Sequence, residues 1–394
     1  MNINILDKAV QDYINANLNA DVNQIALAKS PFENVSSAEL AGQIAAKKKS
    51  EKKLPTWSKH KDIYYPTALS IEQTSSEITA EYKSKLAIGN RLIDLTGGFG
   101  VDSFYFSKNV NAVTHCEINS DLSKIANHNA TILTVKNIEF KSVDGIEFLK
   151  HTDSIFDTIY VDPARRAEKG KVFMLKDCTP DVVSNLDLLL SKGGRIIIKT
   201  APLLDITAGL NELQNVSEIH IVSVKNECKE ILWVIEPDSK SDVKIVATTL
   251  NDKQKHFSFL KSETEVYSEF TNSIDEDHYL YEPDASLLKS GAFDLIGLRY
   301  NLRKLHPQTQ LFVSSLLNEE FPGRIFKISK VCSTGDLKKL KDLAGNVIVR
   351  NYPAKPEELV KKYKIKPSKE NFLLFSKIGN DENIVIKAEI IQYY

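Results

Sequence analysis

Three apolar runs each end in an acid: Asp94 after "RLI", Glu117 after "AVTHC" and Asp144 after "IEFKSV". A fourth run, "FDTIYV", ends in Asp162 and continues as "DPARR", residues 162–166. Their β-branched and aromatic content reads as short strands, so the carboxylates collect at strand carboxyl ends, the edge at which open α/β sheets bind ligands. Between the first two runs lies "TGGFG", residues 96–100, a glycine-rich turn that opens a helix. Gly98 and Gly100 allow backbone N–H groups to approach a ligand, and the helix start adds positive potential. Glu117 follows the first strand by roughly 20 residues, the place of the carboxylate that accepts both ribose hydroxyls in nucleotide-binding sheets. Each feature also has an ordinary reading: a turn that merely joins strand to helix, and Glu117 and Asp144 as helix N-caps. The three acids together point to a nucleoside-containing ligand.

In Gly98-Phe99-Gly100-Val101-Asp102-Ser103, an acid stands where the pyrophosphate of a dinucleotide would rest on the turn. S-adenosyl-L-methionine has no phosphate and carries a sulfonium and an amino group, so Asp102 favours this methyl donor over a nicotinamide cofactor.

These strand ends need a sheet to align them. Residues 1–85 show helical patterns such as "SAELAGQIAAKKKSEKK", interrupted by Pro31, Pro55 and Pro66, with no strand. Residues 86–237 alternate strands ("RLIDL", "AVTHCEI", "IEFKSV", "FDTIYVD", "GRIIIKT", "SEIHIVSV", "EILWVIE") with helical segments such as "SDLSKIANHNATIL" and "TPDVVSNLDLLLS". The pattern specifies an α/β domain with a mostly parallel, Rossmann-like sheet. The link "KNECK" before the last strand is too short for a crossover helix, so the last two strands form an antiparallel hairpin. Residues 238–320 hold a further hairpin, "VKIVATTL" with "KHFSFL", and the stretch "YLYEPDASLLKSGAFDLIGLRYNLRKL", extended and then helical. Residues 321–394 read strand, helix, strand, helix, strand, strand, a small α+β unit.

The 394 residues suffice for two to four domains, and the 42% hydrophobic and 26% charged content is that of a globular protein without a membrane-length apolar run. The acid-bearing, helically spaced N-terminal stretch is not a secretion signal, which points to the cytoplasm. Cys116, Cys178, Cys228 and Cys332 form no Cys-x-x-Cys pair, arguing against zinc or a disulfide framework. Net charge is −1, yet residues 321–366 hold twelve Lys/Arg against four Asp/Glu. With Arg324, Arg350 and Tyr352 this stretch offers phosphate and stacking contacts to RNA, or is a solvated face. "KKKSEKK", residues 47–53, reads as a second electrostatic arm or a flexible linker.

Over residues 70–237 the chain resembles the class I S-adenosylmethionine-dependent methyltransferases. The resemblance rests on "IDLTGGFG", on Glu117, on "VDG" at Asp144, and on "DPARR" in place of the Asp/Asn-Pro-Pro-aromatic or Asp-Pro-Pro-Arg motif of amino- and RNA-base methyltransferases. "LSIEQTSSEITAEYKSKL" is similar to the segment that leads into the methyl-donor loop of cap-trimethylguanosine synthases. With "YLYEPDASLLKSGAF" and the basic tail, the whole arrangement resembles a bacterial methyltransferase family with a ferredoxin-like insert and a THUMP-like C-terminal domain. THUMP domains are associated with tRNA modification.

The resemblance implies that Asp94, Thr96, Gly98, Gly100, Glu117, Asp144 and Asp162 bind the cofactor, and that Asp162, Pro163 and Arg165 serve catalysis. It further implies that Arg165, Arg166, Arg324 and Arg350 contact RNA, with a base nitrogen of a structured RNA such as tRNA as acceptor. In the related motif, the acid's side chain and the next carbonyl accept hydrogen bonds from the target amine; Asp162 and Pro163 match those positions. Arg165 then suits a base oxygen or a stacked base, and Arg166 a phosphate; Lys169 and Lys171 add to the cluster. A turn clasp of Asp162 with Arg165 or Arg166 is the structural alternative. "TAPLLD", residues 200–205, walls the acceptor pocket or only starts a helix at Pro202. Thr96 replaces the first glycine of the usual loop and Ala164 the second proline of the motif. Methyl transfer to DNA or a protein amine, and RNA binding by a relic methyltransferase fold, are the other functions these residues allow. The oligomeric state is left open.

Overall fold

The computed structural model describes residues 1–165, 174–337, 343–379 and 381–394, and of Arg165 only the backbone. The chain divides into two compact units, residues 1–217 with 232–240, and residues 218–231 with 241–394.

The first unit begins with helices α1 (Lys8–Ala16), α2 (Val22–Leu27), α3 (Ser37–Lys53), α4 (Pro55–Lys59), α5 (Ala68–Gln73) and α6 (Glu77–Ser84), and no strand occurs in residues 1–85, as the patterns specify. Helix α3 starts in a capping box, Ser36 with Glu39, and runs through "KKKSEKK". That segment is neither a free arm nor a linker: Lys47 is buried, Lys48 Nζ donates to Asn19 Oδ1 at 2.7 Å, and Lys49 pairs with Glu72. The buried face of α3 runs Leu40, Ala41, Gln43, Ile44, Ala46, Lys47 and Ser50, so the Lys47 stem joins the packed face. Trp57 of α4 joins Phe99, Phe104 and Tyr105 in one core, so the helical front supports the glycine-rich turn from its apolar side.

The strands that carry the acids are β1 (Arg91–Asp94), β2 (Ala112–Cys116), β3 (Ile138–Lys141) and β4 (Phe156–Val161). They alternate with α7 (Val101–Phe106), α8 (Ser120–Ile132) and α9 (Gly145–His151). After β4 comes a two-residue pair, β5 (Ala164–Arg165) antiparallel to β6 (Cys178–Thr179), then α10 (Leu186–Lys192), β7 (Gly193–Thr200) and α11 (Ile206–Glu212). β1 pairs in parallel with both β2 and β4, β2 with β3, and β4 with β7. The segment "TPDVVSNLDLLLS" is helical only from Leu186. Asp181 Oδ1 instead accepts from Val183 N at 3.1 Å and Ser184 N at 3.0 Å, a local turn that competes with helix.

β8 (Val216–Val224) and β9 (Glu227–Ile235) are joined by Lys225 and Asn226, both at positive φ, the two-residue turn of an antiparallel hairpin. In the first unit the strand order is β7-β4-β1-β2-β3, and in the second β10 (Lys244–Leu250) is antiparallel to β11 (Gln254–Leu260) and parallel to β8.

In the second unit follow β12 (Tyr279–Pro283), α12 (Ala285–Ser290), α13 (Phe293–Tyr300), β13 (Arg303–His306), β14 (Thr309–Ser314), β15 (Gly323–Cys332), α14 (Thr334–Leu337), β16 (Asn346–Val349), α15 (Pro356–Tyr363), β17 (Asn371–Ile378) and β18 (Glu382–Gln392). They form a seven-stranded sheet of order β13-β14-β12-β15-β18-β17-β16, so strands on both sides of residue 320 share one sheet. No helix among the described residues is long and apolar enough to cross a membrane.

Gly209 of α11 faces the indole of Trp233, which is fully buried with Nε1 3.0 Å from Thr200 Oγ1; a Cβ at Gly209 would overlap the ring. Alanine is the better helix former by about 1 kcal/mol, but overpacking a core costs about 1–3 kcal/mol. Gly209→Ala is therefore expected to lower the melting temperature in scanning calorimetry, and a rise would show that the indole yields.

Candidate active site

Asp94, at the end of β1, is buried: its Oδ1 accepts from Thr96 N at 3.1 Å and its Oδ2 from Ser103 Oγ at 2.6 Å. Ser103 Oγ also lies 3.1 Å from Nδ1 of the buried His115. Burial raises Asp94 to about 7, with Asp102 and Asp162 adding to the rise and the bonds from Ser103 and Thr96 opposing it. Burial also lowers His115 to about 3, so its ring is neutral. The ring fills the space a Cβ of Gly97 would need. Gly97 N donates to Cys116 O at 2.8 Å, and Gly98 and Gly100 hold φ of 55° and 84°, where glycine is favoured. The turn is thus braced by Asp94, Ser103 and His115.

Glu117 is not the N-cap of α8; Asn119 is, accepting from Asp121 N at 3.0 Å and Leu122 N at 3.1 Å. Glu117 accepts instead from Gly98 N at 2.9 Å and Asn119 N at 2.7 Å, turned toward the glycine loop. Asp144 has both roles: it caps α9 through Ile146 N and Glu147 N and lines the cavity.

That cavity, about 670 Å³, is where the sequence-nominated residues meet: Thr96, Gly98, Glu117, Asp144 and Asp162 all line it, whereas Asp94, Gly100 and Pro163 do not. Residues 73–75, from the stretch that leads into the loop, also line it, as do Thr179 to Asp181. None of residues 200–205 does. Thr200 bonds Trp233, Leu203 is exposed, and Asp205 caps α11 through Ala208 N at 2.9 Å, so Pro202 starts no helix.

Two lysines absent from the sequence reading organise the acids. Lys199, at the end of β7, pairs with Asp162 Oδ2, the place the turn-clasp reading assigned to Arg165 or Arg166. Arg166, Lys169 and Lys171 lie outside the described residues, as does the Arg165 side chain. Lys83 Nζ lies 3.1 Å from Asp102 Oδ1, and Asp102 Oδ2 accepts from Ser75 Oγ at 2.8 Å and Tyr160 OH at 2.9 Å. Burial pushes the Asp102 carboxyl up, but Lys83, Lys199 and the bonds from Ser75 and Tyr160 together outweigh it and the result lies below the ordinary value. With its charge offset by a buried lysine, Asp102 alone does not repel a phosphate. The cavity as a whole does: with Asp102 and Asp162 offset by Lys83 and Lys199, the other charged lining among the described residues is Glu117, Asp144, Glu147 and Asp181 against Lys150. Lys199 ends an apolar strand just as the acids do, so the rule that singled them out would have found it if applied to cations. Thr96 Oγ1 accepts from Asp162 N at 2.7 Å, which joins the glycine turn to the Asp162 loop.

Comparison with known proteins places this arrangement. A solved structure from Porphyromonas gingivalis W83, provisionally described as a methyltransferase, is 30% identical, covers 98% of this chain and 98% of its own, and superposes with a TM-score of 0.86. The chain belongs to that methyltransferase family. Residues 279–322 match a ferredoxin-like domain and residues 323–389 a THUMP domain-like family. An uncharacterized RNA methyltransferase of Mycoplasma mobile is 34% identical over 88 residues, which is 22% of this chain and 24% of that protein; the chain thus spans about a quarter of that relative's length.

In this methyltransferase, Arg324 and Arg350 are not free for phosphate. Both are paired with the buried Glu282, Arg350 at 2.6 Å and Arg324 through Nε at 2.7 Å. Tyr352 packs edge-on against Phe375 at 5.4 Å. Lys338, Lys339 and Lys341 lie outside the described residues; Lys327, Lys330, Lys355, Lys361, Lys362, Lys364 and Lys366 are exposed.

The raised Asp94 has a measurable consequence. Between its unfolded value near 3.8 and about 7, the folded chain holds a proton that the unfolded chain releases, so its contribution to stability is fully present at low pH and is lost as pH rises through that window. Asp94→Asn carries no such titration. The melting temperature of Asp94→Asn relative to the parent protein is expected to rise between about pH 5 and pH 8, and a constant difference would show that Asp94 does not titrate there.

Proposed function

We propose that the protein transfers the methyl group of S-adenosyl-L-methionine to a base nitrogen of a structured RNA such as a tRNA. The observation that carries this reading is the convergence of the glycine turn, Glu117, Asp144 and Asp162 on one cavity. Its volume falls in the range of small-ligand sites. The residues present suit the donor. Glu117 would take the ribose hydroxyls, Ile118 and Ile146 supply apolar surface for the adenine, and Asp144 stands at the adenine edge. The acidic lining suits a cationic ligand better than a phosphate ester.

When bound, the donor supplies a methyl carbon made electrophilic by the sulfonium. The chain's own task is to bring the acceptor to within about 3 Å of that carbon and in line with it. Asp162 or the Pro163 carbonyl would receive a hydrogen bond from the acceptor nitrogen, while Thr96 fixes the Asp162 backbone to the glycine turn. The RNA assignment is supported by the name of the Mycoplasma mobile relative, by the THUMP-like match and by the exposed lysines 355, 361, 362, 364 and 366. Arg165 and Arg166 are assigned to the RNA at the acceptor end. Arg324 and Arg350 would serve it only by leaving Glu282.

Calorimetry with S-adenosylhomocysteine tests the cofactor directly, and absence of binding to folded protein at millimolar ligand would sink the reading. Glu117→Ala is expected to weaken that binding by about 1.5–3 kcal/mol, the worth of hydrogen bonds to a charged group. Asp162→Asn should slow single turnover by about 10²–10⁴-fold while binding changes much less, since a positioned base acts as transfer proceeds. Equal losses in binding and rate would instead make Asp162 a wall of the cavity.

A further inference from the structure

We infer that the acceptor is a nucleobase ring nitrogen that carries a proton, as in the lactam of guanine or the imide of uracil, and that Lys199 selects it. This rests on the methyl-transfer reading above. Asp162 lines the cavity, and its Oδ2 is held by Lys199, whose side chain is 14% exposed. The reacting end of the cavity is therefore a carboxylate with a cation behind it, next to the second pair formed by Asp102 and Lys83.

Base nitrogens differ in the charge they develop. An exocyclic amine attacks with its protons in place, so positive charge grows on nitrogen; a carboxylate helps and a lysine beside it opposes. An unprotonated ring nitrogen, such as N1 of adenine, has no proton to lose and becomes cationic, so it needs neither group. A lactam or imide nitrogen must shed its proton, and negative charge spreads over the ring nitrogen and its carbonyl oxygen. That acceptor alone uses both partners found here, the carboxylate as proton acceptor and the lysine as a preorganised positive charge. In the transfer, the ring N–H proton passes to Asp162 Oδ1 and the N–H electron pair becomes the N–CH₃ bond. The pair of the broken C–S bond remains on sulfur, and Asp162 returns its proton to water after product release. Lys199 acts through Asp162 and the charge of the base, as a positioning residue.

The test incubates the full chain and methyl donor with total RNA from a strain lacking the gene, and identifies methylated nucleosides by mass spectrometry. Methyl on N1 of guanine or N3 of uracil is expected. Methyl on an exocyclic amine, an unprotonated ring nitrogen, a carbon or a ribose oxygen overturns this inference and leaves methyl transfer standing. Binding of S-adenosylhomocysteine without methylation of RNA removes the RNA reading, and this inference with it. Lys199→Met should slow single turnover at pH 7 by about tenfold or more, recover as pH rises and bulk base assists, and keep S-adenosylhomocysteine affinity within about twofold; Lys199→Arg should restore the pH profile. A rate loss equal at every pH, matched by a fall in melting temperature, would make Lys199 a structural ion pair and overturn its selecting role.

Discussion

The site depends on how a buried carboxylate is satisfied at the end of a central strand. Asp94 sits on β1, which pairs with β2 on one side and β4 on the other, so what bonds to Asp94 decides where both neighbouring strand ends deliver their residues. Its two oxygens take Thr96 N and Ser103 Oγ, which pins both ends of the glycine turn. Thr96 then passes the constraint to Asp162 through a single 2.7 Å bond. A glycine at position 96, usual in this loop, would have no side chain to make that connection. The substitution that looks like a departure in the sequence is thus what holds the turn and the Asp162 loop in register.

Gathering four acids at one sheet edge is electrostatically unfavourable unless some are compensated. Lys83 and Lys199 do this for Asp102 and Asp162, whereas Asp94 has hydrogen bonds but no cation partner among the described residues, and it is Asp94 that is pushed up to about 7. Buried ion pairs add little net stability because desolvation offsets attraction, but once formed they hold a geometry, since moving either partner leaves a charge unpaired. A site that must hold two reactants in line benefits from that stiffness more than from added stability.

Much of this was legible in the sequence because it is local. The strand segments through β4, the antiparallel hairpin around "KNECK", the glycine turn and the acids at strand ends all follow from patterns a few residues long. What was not legible is pairing at a distance. Asp162 and Lys199 are 37 residues apart, and nothing in "DPARR" reveals that a lysine on another strand pairs with the carboxylate. The same limit applies to "TAPLLD", which does not line the cavity, whereas Thr179, Pro180 and Asp181 do.

The basic stretch after residue 320 shows why charge counted along a chain misjudges charge available to a partner. Arg324 and Arg350 reach back 42 and 68 residues to one carboxylate, Glu282, on β12. Glu282 is 2% exposed, so releasing either arginine to a phosphate would weaken the compensation of a buried charge. The lysines at 355, 361, 362 and 364 are exposed and are not paired with Glu282. An ammonium on a flexible stem reads phosphate as a point charge, without the bidentate geometry of a guanidinium. RNA contact through this stretch would therefore be weakly directional and strongly salt-dependent.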